Sequence, residues 1–289
     1  MRILIFGGDG MLGHRLLLQL SARHETRVTL RRPLAEYSRF GLFCRDNAFD
    51  ETDARDVRRV AAVVSAFRPQ AVINAVGIVK QRPEANELDL SSEVNALFPH
   101  RLAALCRARP AQLLHLSTDC VFSGEKGNYA EADRPDPVDV YGETKLRGEI
   151  DAPGAITLRT SIIGTELDRK TSLVEWLLAQ KGKTIKGYRQ AVFSGFITAE
   201  LARLIEMLVT RHAGACGLYH VSSAPISKLD LLSGLEHRLG LGVTIVPDDT
   251  VACDRSLDSS RFRKAFDYEP PAWDAMLDEL AADILKGRA

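Results

Sequence analysis

The stretch that decides the fold is an apolar run that passes directly into a glycine-rich turn: Ile3-Leu4-Ile5-Phe6-Gly7-Gly8-Asp9-Gly10-Met11-Leu12-Gly13. Between a strand and a helix, Gly7 lets the chain turn sharply, Gly10 lets the backbone approach a pyrophosphate, and Gly13 lets the helix pack closely on the strand. The helix N-terminus then points at the anion. Such a turn can be only a tight connection, but its place between strand and helix favours a dinucleotide site formed by Gly7, Gly10, Met11 and Leu12.

Short apolar runs recur along the chain with segments of helical length between them. They lie at residues 3–6, 27–30, 71–76, 112–116 and 155–158. Runs of this length, bounded by turn residues, are typical of strands in a parallel sheet that is covered on both faces. The sequence therefore predicts an α/β fold with a Rossmann-like doubly wound parallel sheet.

The alternation becomes less regular after residue 160, although the pattern still predicts helices up to the C-terminal one over residues 273–285. We interpret this part as a smaller C-terminal substrate-binding lobe whose chain partly re-enters the sheet. The predicted division is a dinucleotide-binding Rossmann domain over residues 1–160, which residues 190–224 rejoin, and a lobe formed by residues 161–189 and 225–289.

The composition is that of an ordinary soluble globular protein, with 45% apolar and 26% charged residues among 289. The 38 Lys and Arg residues balance the 38 Asp and Glu residues, so charge gives no support for a nucleic acid or an anionic membrane as partner. The five cysteines include no C-x-x-C pair, which favours reduced thiols in a cytoplasmic protein over disulfides or zinc. The seven histidines show no ligand spacing, so no metal is expected.

Two arginines indicate the preferred cofactor. Arg31 and Arg32 follow the second strand, where NAD-binding proteins tend to carry an acidic residue for the ribose 2′-hydroxyl. A guanidinium there suits a 2′-phosphate, so NADPH is favoured over NADH, with NADH left open and a solvated surface pair as the alternative. Asp50 can reach the adenine, whereas Asp53 is expected to cap the next helix. At the carboxyl edge of the sheet, where open α/β folds bind ligands, the fourth strand is followed by Ala75, Val76 and Gly77.

The fifth strand and the helix after it carry the residues with catalytic chemistry. The strand ends in Ser117-Thr118-Asp119-Cys120, and Tyr141 and Lys145 follow at i and i+4 in a helix that Asp139 can cap. A lysine ammonium beside a phenol lowers a pKa that starts at about 10, so the tyrosine can transfer a proton near neutral pH. Thr118 can donate a hydrogen bond to the oxygen on which charge develops.

On these residues the chain resembles the extended short-chain dehydrogenase/reductase family, which shares the glycine pattern of the turn, the strand-end Thr118, and the pair Tyr141 and Lys145. Residues 117–124 and the stretch Leu158-Arg159-Thr160-Ser161 are similar to its dTDP-4-dehydrorhamnose reductase branch. The resemblance implies reduction of the 4-keto group of a nucleotide-activated deoxysugar by a nicotinamide cofactor.

The resemblance also implies residue roles. Tyr141 would give the proton, Lys145 would tune Tyr141 and hold the nicotinamide ribose, and Thr118 and Asp119 would contact the sugar. The cofactor would be lined by Gly10, Met11, Leu12, Asp50, Ala75, Val76 and Gly77.

Two residues depart from the branch. Cys120 stands where the rhamnose enzymes usually carry Tyr, and Ile162 stands where they carry Trp. Both changes remove an aromatic residue from the expected sugar pocket, so the particular sugar is left open. Cys120 also occupies the position of the Glu that the 4,6-dehydratase relatives carry after Thr-Asp, which favours plain reduction over dehydration.

Asn95 and Arg255 each have two interpretations. Asn95 could organise a water near Lys145, as in related reductases, or could bond backbone as a buried polar residue. Arg255, in the predicted lobe, could clamp a diphosphate or form a surface salt bridge.

The sequence therefore predicts an NADP(H)-dependent reductase of a nucleotide-diphospho-4-keto-6-deoxysugar in cell-surface polysaccharide biosynthesis. The alternatives are a sugar-nucleotide epimerase/reductase and a non-catalytic NADP-binding regulatory subunit. The expected partner is the nucleotide-sugar substrate, with no nucleic acid and no membrane, and a homodimer is left open.

Overall fold

The structure is a computed structural model that describes residues 1–79 and 87–287. Within these ranges the strands are β1 (Arg2–Phe6), β2 (Glu25–Thr29), β3 (Ala48–Phe49), β4 (Ala71–Asn74), β5 (Gln112–Thr118), β6 (Ala155–Thr160), β7 (Ile162–Ile163), β8 (Thr184–Tyr188), β9 (Ala191–Phe193), β10 (Phe196–Ile197), β11 (Gly217–His220), β12 (Ile226–Ser227), β13 (Thr244–Asp248) and β14 (Cys253–Asp254). The helices are α1 (Met11–Leu20), α2 (Val57–Phe67), α3 (Leu88–Ser91), α4 (Phe98–Arg107), α5 (Val140–Arg147), α6 (Leu173–Leu178), α7 (Thr198–Arg211), α8 (Lys228–Leu239), α9 (Ser260–Phe266) and α10 (Trp273–Lys286). Between them lie two 3₁₀ segments, Leu34–Phe40 and Asp119–Val121, and a π-helical segment, Ser92–Leu97. None of the helices in the described ranges is long and apolar enough to span a bilayer.

The central sheet has the strand order β11-β6-β5-β4-β1-β2-β3. Strand β1 pairs in parallel with β2 on one side and with β4 on the other. Strands β3 and β5 extend the sheet in parallel on those two sides. Because the chain moves outward from β1 to β3 and then crosses back to β4 and β5, the sheet is doubly wound with its switch point between β1 and β4. The predicted α/β, Rossmann-like fold is confirmed.

The residue that caps helix α2 lies three residues after the predicted cap, Asp53. Asp56 caps the helix, because its carboxylate accepts a hydrogen bond from the Arg59 backbone N–H at 2.9 Å. Asp53 forms a turn before the helix instead, where it accepts bonds from the backbone and the guanidinium of Arg55, both at 2.8 Å. This guanidinium lowers the pKa of the Asp53 carboxyl. The prediction that Asp53 caps the helix was therefore wrong.

An apolar layer between the sheet and helices α2 and α4 fixes the position of the β1 and β4 strand ends. Phe6 of β1 packs edge-on against Phe98 of α4, with ring centroids 5.5 Å apart. Each fully buried large side chain of such a layer contributes about 1.5–3 kcal/mol. Its most buried members include Leu4, Phe6, Val64, Val72, Phe98, Leu102 and Leu113.

In its described residues the chain forms two compact packing units. The first comprises Met1–Thr118, Asp139–Leu158 and Ala202–Leu218, and the second comprises Asp119–Val138, Arg159–Leu201 and Tyr219–Ala289. The second unit has an aromatic core of its own, in which the Phe262 ring contacts three other rings at centroid distances of 4.7 to 6.0 Å.

The packing units and the predicted domains divide the chain differently. Four ranges that were predicted in the Rossmann domain pack within the second unit: residues 119–138, 159–160, 190–201 and 219–224. A packing unit need not be a domain that folds alone, so the predicted boundaries stay a prediction.

Candidate active site

The geometry of the glycine-rich turn leaves no room for a side chain at positions that include Gly7 and Gly13. Gly7 has a φ of +89°, and a Cβ there would lie 3.1 Å from the Ala75 carbonyl oxygen. A Cβ on Gly13 would lie 1.9 Å from the Gly7 carbonyl oxygen. Helix α1 can therefore begin directly against the ends of β1 and β4.

The start of α1 presents backbone more than side chains. Gly10 is the N-cap residue, and its own N–H donates to the Gly7 carbonyl oxygen at 3.1 Å. The Leu12 side chain belongs to the core, while Met11 is partly exposed. The first N–H groups of a helix have no partner within the helix and bind anions. The turn thus fits a pyrophosphate, and the cofactor contacts of these residues stay a prediction.

The two arginines after β2 are held differently. The Arg32 guanidinium lies 3.1 Å from the Glu36 carboxylate and 5.1 Å from the centre of the Tyr37 ring. Tyr37 in turn donates a hydrogen bond from its hydroxyl to Asp9 of the glycine turn at 3.2 Å. Arg31 is exposed. Burial and the neighbouring Asp9 raise the pKa of Tyr37. This residue was not predicted from the sequence, because no local pattern places a 3₁₀ segment beside the glycine turn.

Asp50 and residues 75–77 lie at the carboxyl ends of β3 and β4. One Asp50 carboxylate oxygen accepts a hydrogen bond from the Leu34 N–H at 2.8 Å, which ties the 3₁₀ segment to the sheet. Ala75 donates from its N–H to the Phe6 carbonyl oxygen at 3.1 Å, and the Val76 N–H donates to Asn74 Oδ1 at 3.1 Å. The structure therefore brings residues 75–77 beside the glycine turn, while an adenine contact of Asp50 stays a prediction.

The helix that carries the tyrosine and the lysine begins as predicted. The Asp139 carboxylate accepts a hydrogen bond from the Gly142 N–H at 2.7 Å and caps α5. Tyr141 and Lys145 are therefore one turn apart on this helix.

Lys145 joins α5 to the end of β5. Its Nζ donates to the carbonyl oxygen of Leu116, two residues before the strand-end Thr118. Lys145 is 4% exposed and Thr118 is 5% exposed, whereas Tyr141 is only partly buried. Burial lowers the pKa of Lys145 to about 8, and the charge of Glu149 opposes this decrease. A buried ammonium one turn from a phenol favours the phenolate, so the arrangement can transfer a proton to a bound oxygen.

Asn95 links the loop after β4 to helix α5. Its Oδ1 accepts from the Ile78 N–H at 2.9 Å, and its Nδ2 donates to the Ile78 carbonyl oxygen and to Thr144 Oγ1, both at 3.1 Å. Of its two interpretations, these contacts support the buried polar residue that bonds backbone.

In the second packing unit, the structure brings Cys120 and Arg255 together. Arg255 Nη1 donates to Cys120 Sγ at 3.8 Å, and Arg255 Nε donates to the Phe122 carbonyl oxygen at 2.8 Å. These bonds hold the 3₁₀ segment that Asp119 opens. Ile162 lies in β7 and is partly exposed. The substrate contacts of these residues stay a prediction. To bind a diphosphate, the Arg255 guanidinium would have to do so beside its bonds to Cys120 and Phe122.

Comparisons with known proteins agree with this fold. The family model described as the RmlD substrate binding domain matches residues 1–285. The chain is 26% identical to a dTDP-4-dehydrorhamnose reductase of Aggregatibacter actinomycetemcomitans, over 97% of this chain and 98% of the relative. It is 32% identical to a dTDP-4-keto-6-deoxy-D-glucose reductase of Streptomyces niveus, over 87% and 84%.

Two further similarities are informative in different ways. The chain is 29% identical to the methionine adenosyltransferase 2 subunit beta of Danio rerio, over 58% of this chain and 50% of that protein. The crystal structure of a dTDP-4-dehydrorhamnose reductase from Bacillus anthracis, in complex with NADP, superimposes with a TM-score of 0.79 at 22% identity and covers 98% of this chain and 99% of that one. The fold is therefore shared over the whole chain, and with a match over residues 1–285 the protein belongs to the RmlD substrate binding domain family.

Proposed function

We propose that the protein is an NADPH-dependent reductase of the 4-keto group of a nucleotide-diphospho-6-deoxysugar. The observation that carries the proposal is the arrangement of Tyr141 and Lys145 on α5, with the Lys145 ammonium bonded to β5 just before Thr118. The names of the relatives, which are reductases of dTDP-linked keto sugars, support this substrate class.

Each residue of the site has its own role in the proposed reaction. When bound, the reduced nicotinamide supplies a hydride to the carbonyl carbon. Tyr141 gives its phenolic proton to the carbonyl oxygen, so that a C=O group becomes a CH–OH group. The Lys145 ammonium stabilises the phenolate that remains, and Thr118 donates a hydrogen bond to the oxygen while charge develops on it. The backbone at Gly10, with the N-terminus of α1, would hold the pyrophosphate.

NADPH is the proposed cofactor, because the exposed Arg31 and the neighbouring Arg32 can pair with a 2′-phosphate. The NADP complex of the solved relative is consistent with this choice. We propose that the enzyme acts in the cytoplasm, in the biosynthesis of cell-surface polysaccharides. Whether it forms a homodimer can be measured by analytical ultracentrifugation.

The function is tested by following NADPH consumption with purified protein and dTDP-, UDP- or GDP-linked 4-keto-6-deoxysugars. Tyr141→Phe keeps the ring but removes the proton donor, so kcat should fall by about 10²–10⁴ while NADPH affinity changes little. Near-normal turnover by this variant would exclude Tyr141 as the proton donor. A product with inverted stereochemistry at another sugar carbon would indicate the epimerase/reductase alternative.

A second candidate is a regulatory subunit that binds NADP without turnover. The similarity to the methionine adenosyltransferase 2 subunit beta supports it, although that similarity covers only 58% of this chain. Tight NADPH binding together with no consumption on any of these sugars would favour this candidate.

A further inference from the structure

Adjacent residues of β5 anchor two opposite charges from the end of α5. Ser117 Oγ donates a hydrogen bond to Glu149 Oε1 at 2.6 Å. The carbonyl oxygen of Leu116, one residue earlier, accepts the bond from Lys145 Nζ. The two anchors are neighbouring residues of one strand, about 3.3 Å apart along it, and the Glu149 charge raises the pKa of Lys145.

Glu149 lies in the turn that follows the helix carrying Tyr141 and Lys145. Helix α5 ends at Arg147, but Gly148 keeps helical backbone angles, and the Glu149 N–H donates to the Leu146 carbonyl oxygen at 3.2 Å. Side chains four residues apart lie on one face of a helix. Tyr141 and Lys145 therefore share one face of α5, and the Glu149 carboxylate reaches Ser117 of β5 from the turn after the helix.

Other titratable groups on the elements packed against α5 act less on Lys145. His115 in β5 is fully buried, and its burial together with the Lys145 charge holds the pKa of the imidazole well below the usual range. The imidazole is therefore neutral, and its Nδ1 accepts a hydrogen bond from Asn74 Nδ2 at 3.1 Å. Among the described residues, further titratable groups near α5 are a histidine bonded to the carbonyl of Arg147, a carboxylate paired with Arg101, and a carboxylate exposed to solvent: His100, Glu93 and Asp89. In the described part of the chain, Glu149 is the charge that raises the pKa of the buried ammonium.

We propose that Glu149 is a positioning residue whose carboxylate, anchored by Ser117, keeps Lys145 protonated so that Lys145 can stabilise the Tyr141 phenolate. Glu149 exchanges no proton with the substrate. Its effect on turnover rests on the proposed reductase function, but its effect on the protonation of Lys145 does not. The two can therefore be tested separately.

The direct test follows the titration of Lys145 by NMR in protein labelled with ¹³C,¹⁵N-lysine, with the Lys145 Cε signal assigned by its loss in Lys145→Arg. In Glu149→Gln, which keeps the acceptor for Ser117 but removes the charge, the titration midpoint should fall by about one pH unit. Glu143→Gln is the matched control, because Glu143 lies on the same helix in an exposed ion pair with Arg147. Its midpoint should stay at the wild-type value.

The kinetic test is the pH profile of kcat for an accepted sugar. Loss of activity at high pH should begin about one pH unit lower in Glu149→Gln and at the wild-type pH in Glu143→Gln. An unchanged Lys145 midpoint in Glu149→Gln, or an equal change in both variants, would overturn the proposal even in an active reductase. If Glu149→Gln does not fold, Ser117→Ala is the second variant: it releases the carboxylate and should lower the midpoint by a smaller amount, and no change there would equally overturn the proposal.

Discussion

The cofactor preference should depend mainly on Arg31, because its neighbour is already engaged. Arg32 is paired with Glu36 at 3.1 Å and lies over the Tyr37 ring, whereas Arg31 is exposed at the end of β2. A charge-assisted hydrogen bond to a 2′-phosphate contributes about 1.5–3 kcal/mol, which is about 10- to 150-fold in Kd. Arg31→Ala should therefore weaken NADPH binding by about that factor and change NADH binding by less than about twofold.

The ion pair of Arg32 provides an independent check. Both of its side chains are largely exposed, at 40% for Arg32 and 47% for Glu36, so the pair contributes at most about 1 kcal/mol. Glu36→Gln releases the guanidinium for the phosphate and should tighten NADPH binding by up to about fivefold, with NADH unchanged. Arg32→Ala also removes the contact with Tyr37 and should weaken both cofactors.

Calorimetric titration of the two cofactors at one fixed ionic strength measures all three variants, since exposed charges are screened by salt. The ratio of the NADPH and NADH dissociation constants shows whether a variant changes the recognition of the 2′-phosphate. Equal weakening of both cofactors in Arg31→Ala would refute the reasoning, because a residue that recognises the 2′-phosphate cannot affect a cofactor that lacks it.

Three further changes have defined outcomes. Gly13→Ala places a methyl group 1.9 Å from the Gly7 carbonyl oxygen. We therefore expect the free energy of unfolding, measured in urea, to fall by about 1–3 kcal/mol and NADPH to bind at least about tenfold more weakly. Unchanged values would contradict the close packing of α1. Lys145→Met removes an ammonium whose folded-state pKa of about 8 lies below the ordinary lysine pKa of 10.5. Since the unfolded chain binds more protons between these values, wild type should gain about 3 kcal/mol of stability as pH rises through this window, and the variant should not, as urea titrations across the window would show. The resemblance implies that Cys120 and Ile162 stand where the rhamnose enzymes carry aromatic residues of the sugar pocket. On this hypothesis, kcat/KM for dTDP-4-dehydrorhamnose should be about 30- to 1,000-fold below that of the best alternative 4-keto sugar, and equal values would refute the hypothesis.

Features of the fold that depend on neighbouring residues could be predicted from the sequence. The strand at residues 3–6, the glycine turn and the helix that Asp139 caps each depend on contacts within a few residues. Asp53 shows the limit even of local reasoning, because both Asp53 and Asp56 precede α2 and only the structure shows which one accepts the bond from the helix N–H.

The residues that support the candidate site could not be predicted, because their partners are distant in sequence. Asn95 bonds the loop at Ile78, 17 residues away, and Ser117 bonds Glu149, 32 residues away. Arg255 bonds the Phe122 carbonyl 133 residues away. Tyr141 and Lys145 could be recognised because one helical turn fixes their relation, but the state of Lys145 depends on how β5 and α5 are placed against each other. A sequence motif therefore indicates candidate groups for proton transfer, while the tertiary contacts around it determine the pKa values of those groups.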